Sequence, residues 1–158
     1  MIQIPVESDF DEGQDFREAP QLAGLASRLI ADEPQRFGAI APFNVSYLWK
    51  KKGGKTRGQL KLGQCKKATG DLKYFSEMDA VIWLAADHHY GLGDRRVEAT
   101  LYHEMMHLWV DEEEGKLALV GHDFEGFAAE VVKYGDCLPD VQQMAGAFRQ
   151  LAMFEGER

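Results

Sequence analysis

The segment His103-Glu104-Met105-Met106-His107 constrains this chain more than any other part of its sequence. Residues four apart lie on one face of an α-helix, so both histidines can direct their rings at a single metal ion. Glu104 lies beside the first histidine, where its carboxylate can reach a water molecule held on that ion. Zinc hydrolases use two imidazoles and such a carboxylate to bind zinc and to take a proton from water. The pattern therefore predicts a zinc-dependent hydrolase with Glu104 as its general base.

The motif requires a helix, and the surrounding sequence predicts one over residues 94–109. Asp94 follows a Gly-Leu-Gly loop and is a favourable N-cap. No proline or glycine interrupts the run before Gly115. Apolar residues recur at helical spacing and form a stripe, which consists of Val97, Leu101, Met105 and Leu108. An ordinary helix that carries two unrelated histidines is the alternative interpretation.

A catalytic zinc site needs a third protein ligand and one open position for water. His122 is the only histidine after the motif, and a neutral imidazole is a common zinc ligand. Glu125 and Asp123 compete with it, because a carboxylate on a helix can serve the same purpose. The acidic loop 111–115 could turn the chain back toward the metal. The sequence favours His122 and leaves Glu125 as the alternative third ligand.

These residues resemble a known group of metalloproteases. The segment 103–107 is followed fourteen positions later by Gly121-His122-Asp123, with Phe127 beyond. This is similar to the SprT/Spartan-like zincin proteases, in which H-E-M-x-H precedes a Gly-His-Gly segment at similar spacing. The whole layout, as far as Lys133-Tyr134-Gly135, looks even more like the phage-encoded metallopeptidase domain related to that group. The resemblance covers roughly residues 20–136.

The resemblance implies a zincin-like peptidase in which Glu104 is catalytic and Zn²⁺ is held by His103, His107 and His122. Asp123 stands where the SprT pattern has its second glycine. That departure affects how the backbone turns at His122, and it keeps Glu125 as an alternative ligand.

The remaining pattern predicts one domain behind a short arm. Residues 1–18 are acidic and irregular, which is typical of a flexible, poorly ordered N-terminal arm. With 45% hydrophobic residues, the chain can bury one sizeable core but not two. We therefore predict a single zincin-like metallopeptidase domain over residues 19–158. Its α+β fold would pack a small, mostly antiparallel sheet against helices that include the metal-binding helix.

Hydrophobic periodicity places the other elements of this domain. Residues 43–49 and 59–65 alternate enough to be strands, and Gly53-Gly54 predicts a hairpin between them. The apolar run 80–85 predicts a central strand just before the metal helix. A first helix is predicted to end before Pro34. It is marked by Leu22, Leu25, Ala26, Leu29 and Ile30, and two later helices are predicted at about 123–134 and 140–153.

Charge is unevenly distributed along the chain. The net charge is −8, yet residues 50–73 hold nine Lys or Arg against one acid, Asp71. Such a basic hairpin could bind the phosphates of a nucleic acid. The alternative is a solvated hairpin whose lysines protect an edge strand from aggregation, and the lack of interleaved aromatic residues favours it slightly. The candidate nucleic-acid contacts are Lys50, Lys51, Lys52, Lys55 and Arg57.

Two other groups of reactive residues are expected to be structural. Cys65 and Cys137 are isolated, which indicates neither a disulfide framework nor a zinc ribbon. The pair His88-His89 precedes the metal helix and is expected in a surface loop.

The sequence thus favours a zinc metallopeptidase in which Zn²⁺ and Glu104 activate water to attack a peptide bond. Its partner would be a protein or peptide substrate, bound as an extended strand near the sheet edge. The alternative is a non-catalytic, zinc-stabilised phage module that binds nucleic acid or a host protein through residues 50–73. No apolar run approaches the length of a membrane span, so we expect no membrane partner and a cytoplasmic location, in the host cell if phage-encoded.

Overall fold

The computed structural model describes residues 1–122 and 127–156. In these ranges the chain has the expected α+β class. The α-helices are α1 (Pro20–Asp32), α2 (Pro34–Phe37), α3 (Gly70–Ser76), α4 (Ala86–His89), α5 (Asp94–Met106), α6 (Ala128–Tyr134) and α7 (Pro139–Gly156). The strands are β1 (Phe16–Glu18), β2 (Val45–Lys50), β3 (Lys55–Thr56), β4 (Gln59–Leu60), β5 (Gly63–Lys67), β6 (Ala80–Ala85), β7 (Leu108–Asp111) and β8 (Lys116–Leu119).

Four strands form the main sheet in the order β1-β2-β6-β5. The sheet is mixed, because β6 runs parallel to β2 and antiparallel to β5, while β1 runs antiparallel to β2. Strand β6 is buried along nearly its whole length. A strand with neighbours on both sides can pair its backbone groups without water, which suits the most apolar strand. The prediction of a central strand at 80–85 is confirmed.

The predicted hairpin between residues 43–49 and 59–65 is wrong. Strands β2 and β5 both pair with β6, which lies between them. The chain that joins them forms its own short hairpin, β3–β4, which turns at Arg57 and Gly58 with φ angles of 51° and 81°. Two strands adjacent in sequence read as a hairpin, but the more apolar β6, which comes later in the chain, takes the position between them.

Helices α1 and α5 pack against each other and against the sheet, α1 on β2 and α5 on β5 and β6. The predicted α1 stripe is confirmed, with Leu22, Leu25, Ala26 and Leu29 buried. Burial of each of the three leucine side chains contributes about 1.5–3 kcal/mol of transfer free energy. The α5 stripe is buried as well and meets β6 in the core, through Val97, Leu101, Met105, Ile82 and Leu84.

Helix α5 ends three residues before its predicted end at 109, because Leu108 begins β7. Strands β7 and β8 form an antiparallel hairpin that turns at Gly115, where φ is 64°. Leu108 fits the apolar stripe of a helix and also the buried face of a strand, so its spacing alone could not mark the boundary. The hairpin brings the chain back to α5, as expected of the acidic loop, and the Val120 N–H donates to His107 O at 2.8 Å.

Residues 1–18 contain more regular structure than an arm would have. Residues 16–18 are strand β1, and Phe10 is buried. Asp94, predicted as an N-cap, is the first residue of α5 and accepts a hydrogen bond from the Ile2 N–H at 2.8 Å. Pairing with β2 and burial of apolar residues such as Phe10 therefore order residues 1–18, although their acidic composition predicts disorder. The domain boundary at residue 18 stays a prediction.

The later helices begin near their predicted positions, α6 at Ala128 and α7 at Pro139. Residues 123–126, with which the first of them was predicted to begin, lie outside the described residues. None of the described helices is both long enough and apolar enough to cross a bilayer.

The histidine pair 88–89 lies in α4 and not in a surface loop. His89 is fully buried, with its Nδ1 2.7 Å from Ala85 O and its Nε2 2.9 Å from Thr100 Oγ1. Burial, helped by the nearby Arg96 guanidinium, lowers the pKa of His89 to about 4 against the opposing hydrogen bond to Ala85. His89 is therefore a neutral core residue beneath α5.

The free energy of unfolding should fall when His89 must become charged. Because the folded-state pKa is about 4 and the ordinary value is 6.5, the unfolded chain binds this proton first as the pH drops. Stability is thus complete above pH 6.5 and declines toward pH 4, by about 3 kcal/mol from this group. Urea unfolding of the metal-free parent and of His89→Gln, at several pH values between 7 and 4, measures this decline in the free energy of unfolding. An equal decline in both proteins would contradict the assignment.

Candidate metal centre

Three histidines from separate parts of the chain meet beside α5. His103 lies in the last turn of α5, His107 follows its end, and His122 follows β8. Each offers a ring nitrogen within 4.8 Å of the others, and the Nε2 atoms of His103 and His122 are 3.0 Å apart. The four-residue spacing and the β7–β8 hairpin thus bring together the three residues that the sequence favoured as ligands.

The outer nitrogens of the two motif histidines are held by acceptors. His103 Nδ1 lies 2.6 Å from Glu130 Oε2, and His107 Nδ1 lies 2.8 Å from Val120 O. Each Nδ1 therefore carries the proton and donates it, which places the lone pair of each ring on Nε2. This tautomer is the one in which an imidazole ligates a metal through Nε2.

Phe127 forms an apolar platform for the cluster. Its ring centroid lies 5.2 Å from that of His103, 4.9 Å from that of His107 and 5.2 Å from that of His122, in edge-on arrangements. Phe127 is buried, so it limits both the rotation of the three rings and the approach of water from that side.

The Glu104 carboxylate is buried against strand β5. The residue is 7% exposed, and its carboxylate accepts a hydrogen bond from the Cys65 backbone N–H. The close approach depends on Gly63, where a Cβ atom would lie 3.0 Å from Glu104 Oε1 and 2.8 Å from Leu84 Cδ2. Burial raises the pKa of Glu104 to about 7, against the lowering effects of His103 and the Cys65 N–H. A carboxyl group with this pKa can exchange a proton near neutral pH.

The two motif histidines have opposite pKa shifts. Burial acts to lower the pKa of His103, but the hydrogen bond to Glu130 and the Glu104 charge outweigh it, so the net shift is upward. Burial lowers the pKa of His107, together with the charges of the neighbouring histidines, and the Val120 carbonyl opposes this only in part.

The histidines and Glu104 form the floor of a cleft of about 900 Å³. One wall is the β3–β4 hairpin together with β5, the terminal strand of the sheet, and the other is the start of α7. Gln59 Nε2 donates to Gln143 Oε1 at 2.8 Å and so joins the two walls. The half-exposed apolar residues that line the cleft are Leu60, Leu119 and Val120.

The donor set fits a zinc ion. A tetrahedral site with Zn–N distances of about 2.0–2.1 Å places two ligand nitrogens about 3.3 Å apart. The His103–His122 separation of 3.0 Å is close to that value, and all three ligand atoms lie within 4.8 Å of one another. A zinc ion held by three imidazoles in this cleft would keep a fourth position for water. Asp123 and Glu125, the competing ligands, lie outside the described residues.

Most of the candidate nucleic-acid contacts are engaged within the chain. Lys50 Nζ lies over the Trp83 ring, 4.6 Å from its centroid, and Lys51 and Lys52 both approach Glu7 Oε1, at 3.8 and 3.4 Å. Nucleic-acid binding stays a prediction. The other two residues of that set are exposed beside the small hairpin: Lys55 and Arg57.

Sequence reasoning missed Glu130, and it named Phe127 only as part of the resemblance, without a role beside the histidines. Glu130 is buried on α6 and Phe127 precedes that helix. A signal existed, because an acid within Ala-Ala-Glu-Val-Val is unusual for a helix with a buried face. His88 does not reach the cluster; its Nε2 lies 3.0 Å from Gly54 O, which holds the base of the β3–β4 hairpin. Cys65 and Cys137 are free, as predicted.

The chain matches the family described as "Putative phage metallopeptidase" over residues 14–149. Neither a curated protein nor a solved structure matches it. The family match spans most of the chain, including every element that contributes to the histidine cluster. A metal-binding hydrolase agrees with the three convergent imidazoles and the buried carboxylate beside them. The chain belongs to the phage metallopeptidase family.

Proposed function

We propose that this protein is a zinc-dependent, zincin-like peptidase in which His103, His107 and His122 hold Zn²⁺ and Glu104 is the general base. The observation that carries the proposal is the convergence of three imidazole nitrogens on the floor of an open cleft, next to a buried carboxylate. Three neutral nitrogen ligands with an open position are typical of catalytic zinc, whereas structural zinc is usually enclosed by four protein ligands.

The three histidines would supply the ligands through nitrogens that face one another. His103 and His107 hold theirs in the required tautomer through Glu130 and the Val120 carbonyl. Zinc bound there would act as a Lewis acid that makes water nucleophilic near neutral pH. Phe127 would limit the rotation of the histidine rings. Zinc binding would therefore cost little conformational entropy of the ligands.

Glu104 would move the proton. Its carboxylate would accept a proton from the attacking water and deliver it to the nitrogen of the leaving amine. The Cys65 N–H holds this carboxylate in place. Burial brings the pKa of Glu104 to about 7, which suits a group that must take up and release a proton in one turnover.

The substrate would bind as an extended segment along β5. This strand ends the sheet and contributes to the cleft wall beside Glu104. Addition of a peptide strand to a sheet edge supplies backbone hydrogen bonds that do not depend on the peptide sequence. The Gln59–Gln143 bond across the cleft favours a flexible chain over a folded surface. A non-catalytic binding module would need neither the buried Glu104 nor the open cleft.

Loss of any ligand should remove zinc. Replacement of His103, His107 or His122 with alanine should reduce zinc from one per chain to a small fraction and lower the melting temperature, because binding energy adds to folding energy. Metal analysis and thermal unfolding measure both effects, with His88→Ala as the control. Full zinc retention in His122→Ala, with loss in Glu125→Ala, would assign the third ligand to the carboxylate.

Glu104→Gln should separate catalysis from binding. The amide keeps the shape of the side chain but cannot accept the proton, so hydrolysis should fall by about 10²–10⁴-fold while zinc content stays the same. The measurement is cleavage of a mixture of quenched fluorescent peptides by the zinc-loaded proteins. Equal turnover by the variant and the parent would refute the assigned role, and a parent that cleaves none of the peptides would favour a binding module.

Gly63→Ala should displace Glu104 without changing its chemistry. The added methyl group would lie too close to Glu104 Oε1, Leu84 and the Trp83 carbonyl. We expect a loss of about 1–3 kcal/mol in stability and a decrease in kcat of about 10–100-fold, with unchanged zinc content. Gly24→Ala on α1 is the control, because a Cβ there meets nothing within 4 Å and its φ is not positive. An unchanged kcat in Gly63→Ala would show that the activity of Glu104 does not depend on its close approach to residue 63.

A further inference from the structure

Glu130 is a buried acid with one oxygen engaged. Its side chain is 3% exposed, and its Oε2 lies 2.6 Å from His103 Nδ1. Among the described residues its Oε1 is buried without a hydrogen-bond partner. A buried carboxylate is costly unless it is paired, so its burial here depends on the contact with His103.

The face of α6 that carries Glu130 also makes polar side-chain contacts with the rest of the domain. Residues three and four positions further on share a helix face with Glu130. Lys133 Nζ lies 2.7 Å from Glu33 Oε1 at the end of α1, and the Tyr134 hydroxyl donates to Glu98 Oε1 on α5 at 2.9 Å. These contacts hold α6 against α1 and α5. They therefore also fix the position of Glu130 relative to His103.

We infer that Glu130 is a positioning residue for the metal site. It fixes the ring orientation of His103, keeps the proton on Nδ1 and directs Nε2 toward the cluster. A charged acceptor also makes the imidazole a stronger donor to a divalent cation than a neutral acceptor does. His107 has only the Val120 carbonyl in the equivalent place, so the two motif histidines are supported unequally. The inference rests on the proposed zinc site.

Zinc affinity tests this role independently of catalysis. Chelator competition would compare the parent with Glu130→Gln, which keeps an acceptor but loses the charge, and with Glu130→Leu, which loses both. We expect the zinc Kd to rise about 10-fold in Glu130→Gln and up to about 100-fold in Glu130→Leu. The metal-free melting temperature of Glu130→Gln should match that of the parent, while its increase on zinc addition should be smaller. The absorption bands of the Co²⁺-loaded protein should also shift.

Glu98→Gln is the matched control, because it makes the same change at the same α5–α6 interface without touching a histidine. Its zinc Kd should stay within about twofold of that of the parent. An unchanged Kd in both Glu130 variants, or an equal loss in Glu98→Gln, would overturn the inference. Because Glu130→Gln is nearly isosteric, the test remains decisive if Glu130→Leu does not fold. A parent that binds no zinc would instead refute the proposed function, together with this role of Glu130.

Discussion

The packing of α5 against β5 and β6 sets the geometry of the whole site. Val97, Leu101 and Met105 are completely buried on one side of the helix, and their burial fixes its rotation about its own axis. With that rotation fixed, His103 and Glu104 are placed at the floor of the cleft and His107 just beyond the helix end. Rotation of the helix by one residue would expose the apolar stripe and move both histidines away from His122. The position of the site therefore depends on the apolar contacts between α5 and the sheet.

Polar contacts between side chains then fix the position of α6 relative to α1 and α5. Glu33 is the centre of one group, in which it accepts hydrogen bonds from the Tyr102 hydroxyl and from Lys133 Nζ. Partial burial acts to raise the pKa of Glu33, but the hydrogen bonds from Lys133, Tyr102 and Arg36 outweigh it and keep the acid charged. Ion pairs that water still reaches in part contribute little stability, and the Glu33–Lys133 side chains are 27% and 29% exposed. Their effect here is one of position, because they join the end of α1 to α5 and α6, and α6 carries Glu130.

The sequence predicts the helix that carries the H-E-x-x-H motif, and the candidate ligands that meet beside it, better than it predicts the sheet. The H-E-x-x-H spacing and the α5 stripe are local signals, and His122 was favoured because no other histidine follows the motif. Strand pairing is not local. Residues 43–49 and 59–65 look like a hairpin when read together, and only the later, more apolar β6 separates them. Glu130 is missed for a related reason. Its burial can be recognised only once the fold places its partner, His103, next to it.

The site combines features that a stable core would exclude. Glu104 and Glu130 are both buried beside His103, and each carboxylate would carry a large desolvation cost in an apolar environment. Burial raises the pKa of Glu104 to about 7, although the charge of His103 and the Cys65 N–H oppose this shift. A divalent cation on the three imidazoles would offset much of the negative charge around them, and metal binding would then be coupled to proton release. The apolar stripe of α5 is independent of that coupling. The domain can therefore fold around its core, and a metal ion bound to the three histidines would supply the charge that offsets the two buried carboxylates.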